Sequence, residues 1–120
     1  MRTKEIKIES TTYLLVMNNA VLKGMEDRGI SLQDIGGGKP VSNLLAMLAL
    51  MIKGGSDYAA LTGQQDYPVI SEDTLAILTG PEDYAGFLAA ITEVATGERK
   101  VDAVPPKNAA AAPAGEAPAD

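Results

Sequence analysis

The chain contains neither cysteine nor histidine, and these two absences exclude many kinds of catalytic and metal site. Without cysteine there is no disulfide and no thiolate metal ligand, which is typical of a protein in a reducing compartment. Without histidine the usual zinc ligand, the usual general base near neutral pH and every imidazole-based triad are also missing. We therefore expect no catalytic residues, no cofactor and no metal, and we predict that the chain is not an enzyme.

Aromatic residues are scarce as well, with no Trp, one Phe and four Tyr among 120 residues. The core must therefore be built from Leu, Ile, Val, Met and Ala. Five Met residues suit adaptable packing, because the unbranched thioether side chain fills irregular gaps. The formal net charge of −6 argues against a nucleic-acid partner, since neutralising phosphates requires a basic surface.

The longest apolar run is Leu44–Ile52, nine residues without a polar side chain. It is too short for a bilayer, which needs about 20 apolar residues. The first five residues also lack the apolar stretch of a signal peptide. We therefore expect a cytosolic protein without a membrane partner. A helix that is apolar on every face has to be buried by its own domain or by another chain, so the run favours protein–protein binding.

Two sequence patterns resemble functional motifs, but neither meets the requirements of a binding or catalytic site. Gly36-Gly37-Gly38-Lys39 lacks the first glycine of a phosphate-binding loop, and Pro40 replaces the required Ser or Thr, so we interpret it as a linker. The second pattern is three pairs of adjacent acidic residues. Neighbouring residues on a helix point about 100° apart, so the two carboxylates of a pair cannot converge on one atom. We interpret these pairs as solvated or capping residues: Glu26-Asp27, Glu72-Asp73 and Glu82-Asp83.

Apolar periodicity predicts an all-α fold of three to five helices. The predicted helices span about 12–28, 40–53 (ended by Gly54-Gly55), 72–79, and a last helix from Pro81-Glu82 to Gly97, with one helical turn at 31–35. The pattern assigns residues 56–69 to no definite element, and residues 57–61 are compatible with one helical turn. Residues 4–9 alternate charged and apolar side chains, and no partner strand is evident, so we expect a short N-terminal extended arm.

The composition changes near the C-terminal end of the chain. Residues 103–120 are rich in Ala and Pro and offer little apolar surface to bury. We predict a helical, chaperone-like domain over 1–102 and a disordered C-terminal tail over 103–120.

One segment resembles a known family. Asn19–Leu32, with the sequence NAVLKGMEDRGISL, is similar to the first helix and following turn of tail assembly chaperones from long-tailed (siphophage-type) bacteriophages. Leu44–Gly54 resembles their second, very apolar helix, which also ends at a glycine. The resemblance covers about residues 5–100. It departs at Leu50 or Met51, where an aromatic often stands, and across the loop 56–70.

The resemblance implies a function. Such chaperones bind the tape measure protein and keep it soluble until tail-tube subunits polymerise around it, and they are absent from the finished virion. It implies the tape measure protein as partner, the tail tube protein as a second candidate, and the host bacterial cytoplasm as location. We also expect self-association through apolar surfaces. The family often makes a longer product by ribosomal frameshifting, for which Lys107-Asn108 permits a slippery AAA-AAC sequence.

Within that interpretation the apolar positions divide between core and partner contact. The predicted core residues are Leu14, Met17, Leu45, Leu48 and Ile91. The predicted partner-binding residues are Met25, Met47, Met51 and Tyr84, because Met side chains tolerate varied partner segments. Two alternatives remain open: a phage head–tail connector-type structural helper, and a small acidic inhibitor of antitoxin type.

Overall fold

The computed structural model describes residues 1–34 and 37–97 and shows an α+β fold, so the all-α prediction is wrong. A two-stranded antiparallel sheet precedes four α-helices. The elements in chain order are β1 (Thr3–Ile8), β2 (Thr11–Val16), α1 (Asn19–Asp27), α2 (Pro40–Leu61), α3 (Glu72–Leu78) and α4 (Tyr84–Thr96), with short 3-10 turns at Leu32–Asp34 and Pro81–Asp83.

The N-terminal hairpin is the reason that the fold is α+β and not all-α. β1 pairs with β2 from Ile8↔Thr11 to Thr3↔Val16, so the expected arm is a strand, and the start of the predicted first helix is its partner. Glu9 and Ser10 form the two-residue turn with φ of 52° and 77°, the positive values that a type I′ turn requires. β2 is rich in β-branched and aromatic residues, which favour a pleated surface.

The first helix therefore begins later than its periodicity predicts. The side chain of Asn18 caps α1, because its Oδ1 accepts a hydrogen bond from the Val21 amide at 3.0 Å. Gly29 follows with φ of 70°, a left-handed stop that agrees with the predicted helix end near residue 28. α3 begins after the Ser71 cap and α4 ends at Gly97 with φ of 79°, and both agree with the sequence prediction.

α2 is longer than predicted and runs through Gly54 and Gly55 to Leu61. The two glycines do not end the helix because they form its contact with the hairpin. Side chains at these positions would collide with Val21, Val16 and the Leu14 backbone. The glycine pair therefore permits close packing between helix and strand, and the candidate turn at 57–61 is the last part of α2.

The hydrophobic core lies around α2, between the hairpin and the other helices. Of the predicted core residues, Leu14, Leu48 and Ile91 are buried, while Met17 and Leu45 are half-buried against the core.

By length and composition α2 also qualifies to cross a membrane, with a mean hydropathy of 1.3. However, 56% of that apolar window is buried within the protein, so packing accounts for its composition.

Several predictions fall on residues outside the described ranges. They are the helical turn at Ile35, part of the glycine linker at Gly36, the domain boundary at 102 and the disordered tail over 103–120. The neighbouring Leu32–Asp34 does form a helical turn, and the Asp34 carboxylate accepts a hydrogen bond from the Ser31 amide at 2.8 Å.

Candidate functional site

An open apolar groove lies where the start of α2 faces the end of α3 and the first turns of α4. We call it the α2–α3–α4 groove. Its volume is about 440 Å³, and its lining contains no acidic or basic residue. The lining residues are Val41, Leu44, Leu45, Ala76, Thr79, Gly80, Pro81, Tyr84 and Phe87. Such a surface binds apolar groups and offers no counter-charge to an ionic ligand.

The α2 wall of the groove is held firmly in place. Pro40 occupies the first turn of α2, where its missing amide costs no hydrogen bond. Leu44 is buried and fixes this turn to the core. Val41 and Leu45 retain accessible area on the groove side, and Val41 is 59% exposed. An exposed Val on a fixed helical turn is suited to contact with another molecule.

The opposite wall depends on a tight turn between α3 and α4. The Thr79 hydroxyl donates to the Leu75 carbonyl at 2.6 Å and closes the end of α3. The Gly80 amide donates to the Asp83 carboxylate at 2.9 Å, so Asp83 caps this helix start. These bonds hold the turn, so that Tyr84 and Phe87 follow at a spacing of three on one face of α4.

Exposed apolar side chains extend beyond the groove lining. Ile77 and Leu78 stand between Ala76 and Thr79 on α3, and they are 81% and 40% exposed. A soluble surface tolerates single exposed apolar residues, but a cluster of them marks an interaction site. The α2–α3–α4 groove, whose apolar lining remains accessible, is therefore the candidate binding surface.

The structure places the predicted partner-binding residues in two different environments, the core and the groove. Met25, Met47 and Met51 are buried in the core, with at most 2% of their surface exposed. In this conformation they offer almost no surface to a partner, so the structure places them among the core residues. Tyr84 is half-buried and lines the α2–α3–α4 groove.

Of the residues that line the groove, only Tyr84 is a predicted contact, and Val41, Leu45 and Phe87 are among those that the sequence did not indicate. Leu45 is a predicted core residue, and apolar periodicity does not separate the core side of a helical stripe from its accessible edge. Val41 precedes the long apolar run and carries no other signal. Val41 belongs to the groove only because α3 and α4 lie beside the start of α2 in the folded protein.

A second, larger groove has a mixed character. It has a volume of about 540 Å³ and an apolar floor that includes Leu50, Val69 and Ile70. Its rim is charged, with Arg28 bonded to Glu72 at 2.7 Å and Lys53 bonded to Asp57 at 2.9 Å. An apolar partner would have to desolvate or displace these ion pairs, so the α2–α3–α4 groove is the better apolar site.

The acidic pairs are dispersed in the structure. Glu72 pairs with Arg28, Asp83 accepts from Gly80, and Glu26 and Asp27 are exposed on α1. Within residues 1–34 and 37–97 no group of three acidic side chains is placed to hold a metal ion.

The candidate binding surface is therefore the α2–α3–α4 groove, which is lined mainly by apolar residues. Comparison of the chain with protein-family models, with curated proteins and with solved structures finds no match.

Proposed function

We propose that this protein is a tail assembly chaperone of a long-tailed bacteriophage, and that it keeps the tape measure protein soluble by binding its helical segments. The observation that carries the proposal is the uncharged α2–α3–α4 groove, which remains open to solvent in an acidic chain. The resemblance of Asn19–Leu32 and Leu44–Gly54 to this family supplies the partner.

The groove suits the apolar face of an amphipathic helix. Such a face repeats every three or four residues and inserts its side chains into a groove between helices. A long helical protein presents many similar faces, so one chaperone surface can cover successive segments. The absence of charge in the lining favours apolar selectivity over recognition of one sequence.

Tyr84 and Phe87 are the proposed anchors. Aromatic side chains provide large contact areas at low entropic cost and often dominate binding energy. Both are half-buried, so each is held against the core while it retains area for a partner. Val41 on the opposite wall is 59% exposed, whereas the other large apolar residues of the lining are half-buried or buried.

The chain's negative charge completes the mechanism. A chaperone that covers an apolar stripe replaces it with its own outer surface, and net charge keeps such complexes apart in solution. With a formal charge of −6 per chain, several bound copies would make the tape measure protein strongly acidic. On this account the complex resides in the host cytoplasm and dissociates as tail-tube subunits assemble.

Co-expression with the tape measure protein from the same phage genome tests the proposal. We expect the tape measure protein to move from the insoluble to the soluble fraction and to co-purify with this chain. The matched control replaces this chain with an unrelated acidic protein of similar size. An insoluble partner in both cases, including with any longer frameshifted product, would contradict the proposal. Stable incorporation into finished virions would instead favour a connector role.

A further inference from the structure

Within residues 1–34 and 37–97 the sheet contains only β1 and β2, so β1 is an edge strand there. Antiparallel strands alternate between residues whose backbone groups face the partner and residues whose groups face away. The two-residue turn makes Ile8↔Thr11 a bonded pair, and Ile6↔Tyr13 and Lys4↔Leu15 follow at the same spacing. The amides and carbonyls of Thr3, Glu5 and Lys7 therefore point away from β2. No other strand pairs with them in the described ranges.

We propose that a second copy of this chain pairs with that edge, antiparallel to β1 and related by a twofold axis opposite Ile6. In this register Glu5 of each copy lies opposite Lys7 of the other. Both residues have outward-facing backbone groups, so each pair exchanges both of its hydrogen bonds. The result is a continuous four-stranded sheet with an isologous interface.

The charges of β1 select this register over its neighbours. An axis opposite Glu5 would place the two Glu5 side chains face to face, and an axis opposite Lys7 would do the same for lysine. Opposite charges in a cross-strand pair stabilise the pairing, and like charges directly opposite each other destabilise it. Only the axis opposite Ile6 gives two attractive pairs.

The surroundings of β1 are compatible with this pairing. Glu5 and Lys7 are exposed, and half-buried Ile6 would meet Ile6 of the second copy on the axis. The Tyr67 hydroxyl donates to the Glu5 carboxylate, which retains acceptor capacity for Lys7 of the second copy. The Lys4 ammonium is engaged by Glu93 at 3.5 Å on α4. The pairing leaves the α2–α3–α4 groove free, and it does not depend on the proposed function.

Sedimentation velocity of the full chain over a micromolar concentration series tests the proposal. We expect the wild type to dimerise and both Lys7→Glu and Glu5→Lys to weaken dimerisation by about tenfold or more. An equimolar mixture of these two variants should dimerise again, because every cross-strand pair in the mixed dimer is then oppositely charged. Far-UV circular dichroism of each variant confirms that the hairpin is intact.

Two results would overturn the proposal. One is a wild type that stays monomeric throughout the concentration series. The other is a dimer that neither single variant weakens, or whose loss in both single variants is not reversed by mixing. The second result would place any self-association on another surface.

Discussion

Gly55 of α2 lies against the carbonyl of Leu14 in β2, so closely that a Cβ on Gly55 would stand 1.9 Å from the Leu14 oxygen. No side chain can occupy that position without separating the helix from the strand. The Leu14 oxygen belongs to the backbone and cannot move aside as a flexible side chain would. This contact joins the hairpin to the central helix and explains why a glycine pair stands inside a long helix.

Gly55→Ala should therefore destabilise the protein strongly. Alanine favours a helix over glycine by about 1 kcal/mol, but the displacement of α2 should outweigh this gain and leave a net loss of about 3 kcal/mol. Gly86 provides the matched control, because it lies inside α4 with nothing within 4 Å of a Cβ. Gly86→Ala should stabilise by about 0.5–1 kcal/mol.

Urea denaturation of both variants measures these free energies of unfolding. Equal stabilisation by the two substitutions would show that α2 and β2 are not in close contact at Gly55. A smaller loss in Gly54→Ala is also expected, because its nearest neighbour is a Val21 methyl group at 2.5 Å, which can shift.

Tyr67 links the loop before α3 to β1 through the Glu5 carboxylate. This hydrogen bond is the main cause that raises the pKa of Tyr67 above its ordinary value of 10.0, and the Glu5 charge adds to it. The folded protein therefore favours the protonated phenol. The resulting stability is fully present below the unfolded pKa and is lost as pH rises through the folded pKa.

The stability difference between wild type and Tyr67→Phe should shrink as pH rises from neutral through 10.0, the ordinary pKa of tyrosine, toward the raised pKa of Tyr67 in the folded protein. Urea denaturation of both proteins at each pH measures it, and the subtraction removes the effect of lysine titration. In Glu5→Gln, spectrophotometric titration should show the Tyr67 pKa moving back toward its ordinary value. A difference that grows with pH would contradict the Tyr67–Glu5 bond.

Met51 tests the division between core and contact residues. It is fully buried in α2, so Met51→Asp places a carboxylate in the core at a cost of several kcal/mol. Domains of this size are stable by about 5–15 kcal/mol, so we expect the cooperative thermal transition to be lost or strongly lowered. Met51→Leu conserves volume and should cost less than about 1.5 kcal/mol.

Circular dichroism melting curves distinguish the two roles of Met51. A Met51→Asp variant that melts like the wild type, yet no longer binds the tape measure protein, would return Met51 to the partner surface. The core assignment would then be refuted.

The helices with clear end signals could be predicted from the sequence. Ser71 begins α3 and Gly97 ends α4 where their local chemistry indicates. The hairpin could not be predicted, because Glu9-Ser10 lacks the Asn-Gly signal and the apolar spacing of Leu14, Met17 and Val21 also fits a helix.

The groove was less accessible to sequence reasoning than the helices. Tyr84 is the one predicted partner-binding residue that lines the groove. The three predicted Met contacts lie in the core, since the hairpin and the length of α2 decide which side of each stripe is covered. Periodicity defines a stripe, but only the tertiary arrangement determines its exposed edge.

The central claim is that the α2–α3–α4 groove binds the tape measure protein. Val41→Asp places a charge in the groove at an exposed position in the first turn of α2, where the helix dipole tolerates an acid. Leu61→Asp places the same charge on a residue that is 88% exposed at the other end of α2, away from the groove. Neither change should unfold the protein, and matching melting curves provide the control.

The decisive measurement is the amount of tape measure protein that each variant keeps soluble on co-expression. We predict that Val41→Asp loses most of the wild-type effect, corresponding to at least about a tenfold loss of affinity, while Leu61→Asp retains it. Equal solubilisation by both variants, or a loss confined to Leu61→Asp, would contradict the assignment of the groove as the chaperone surface.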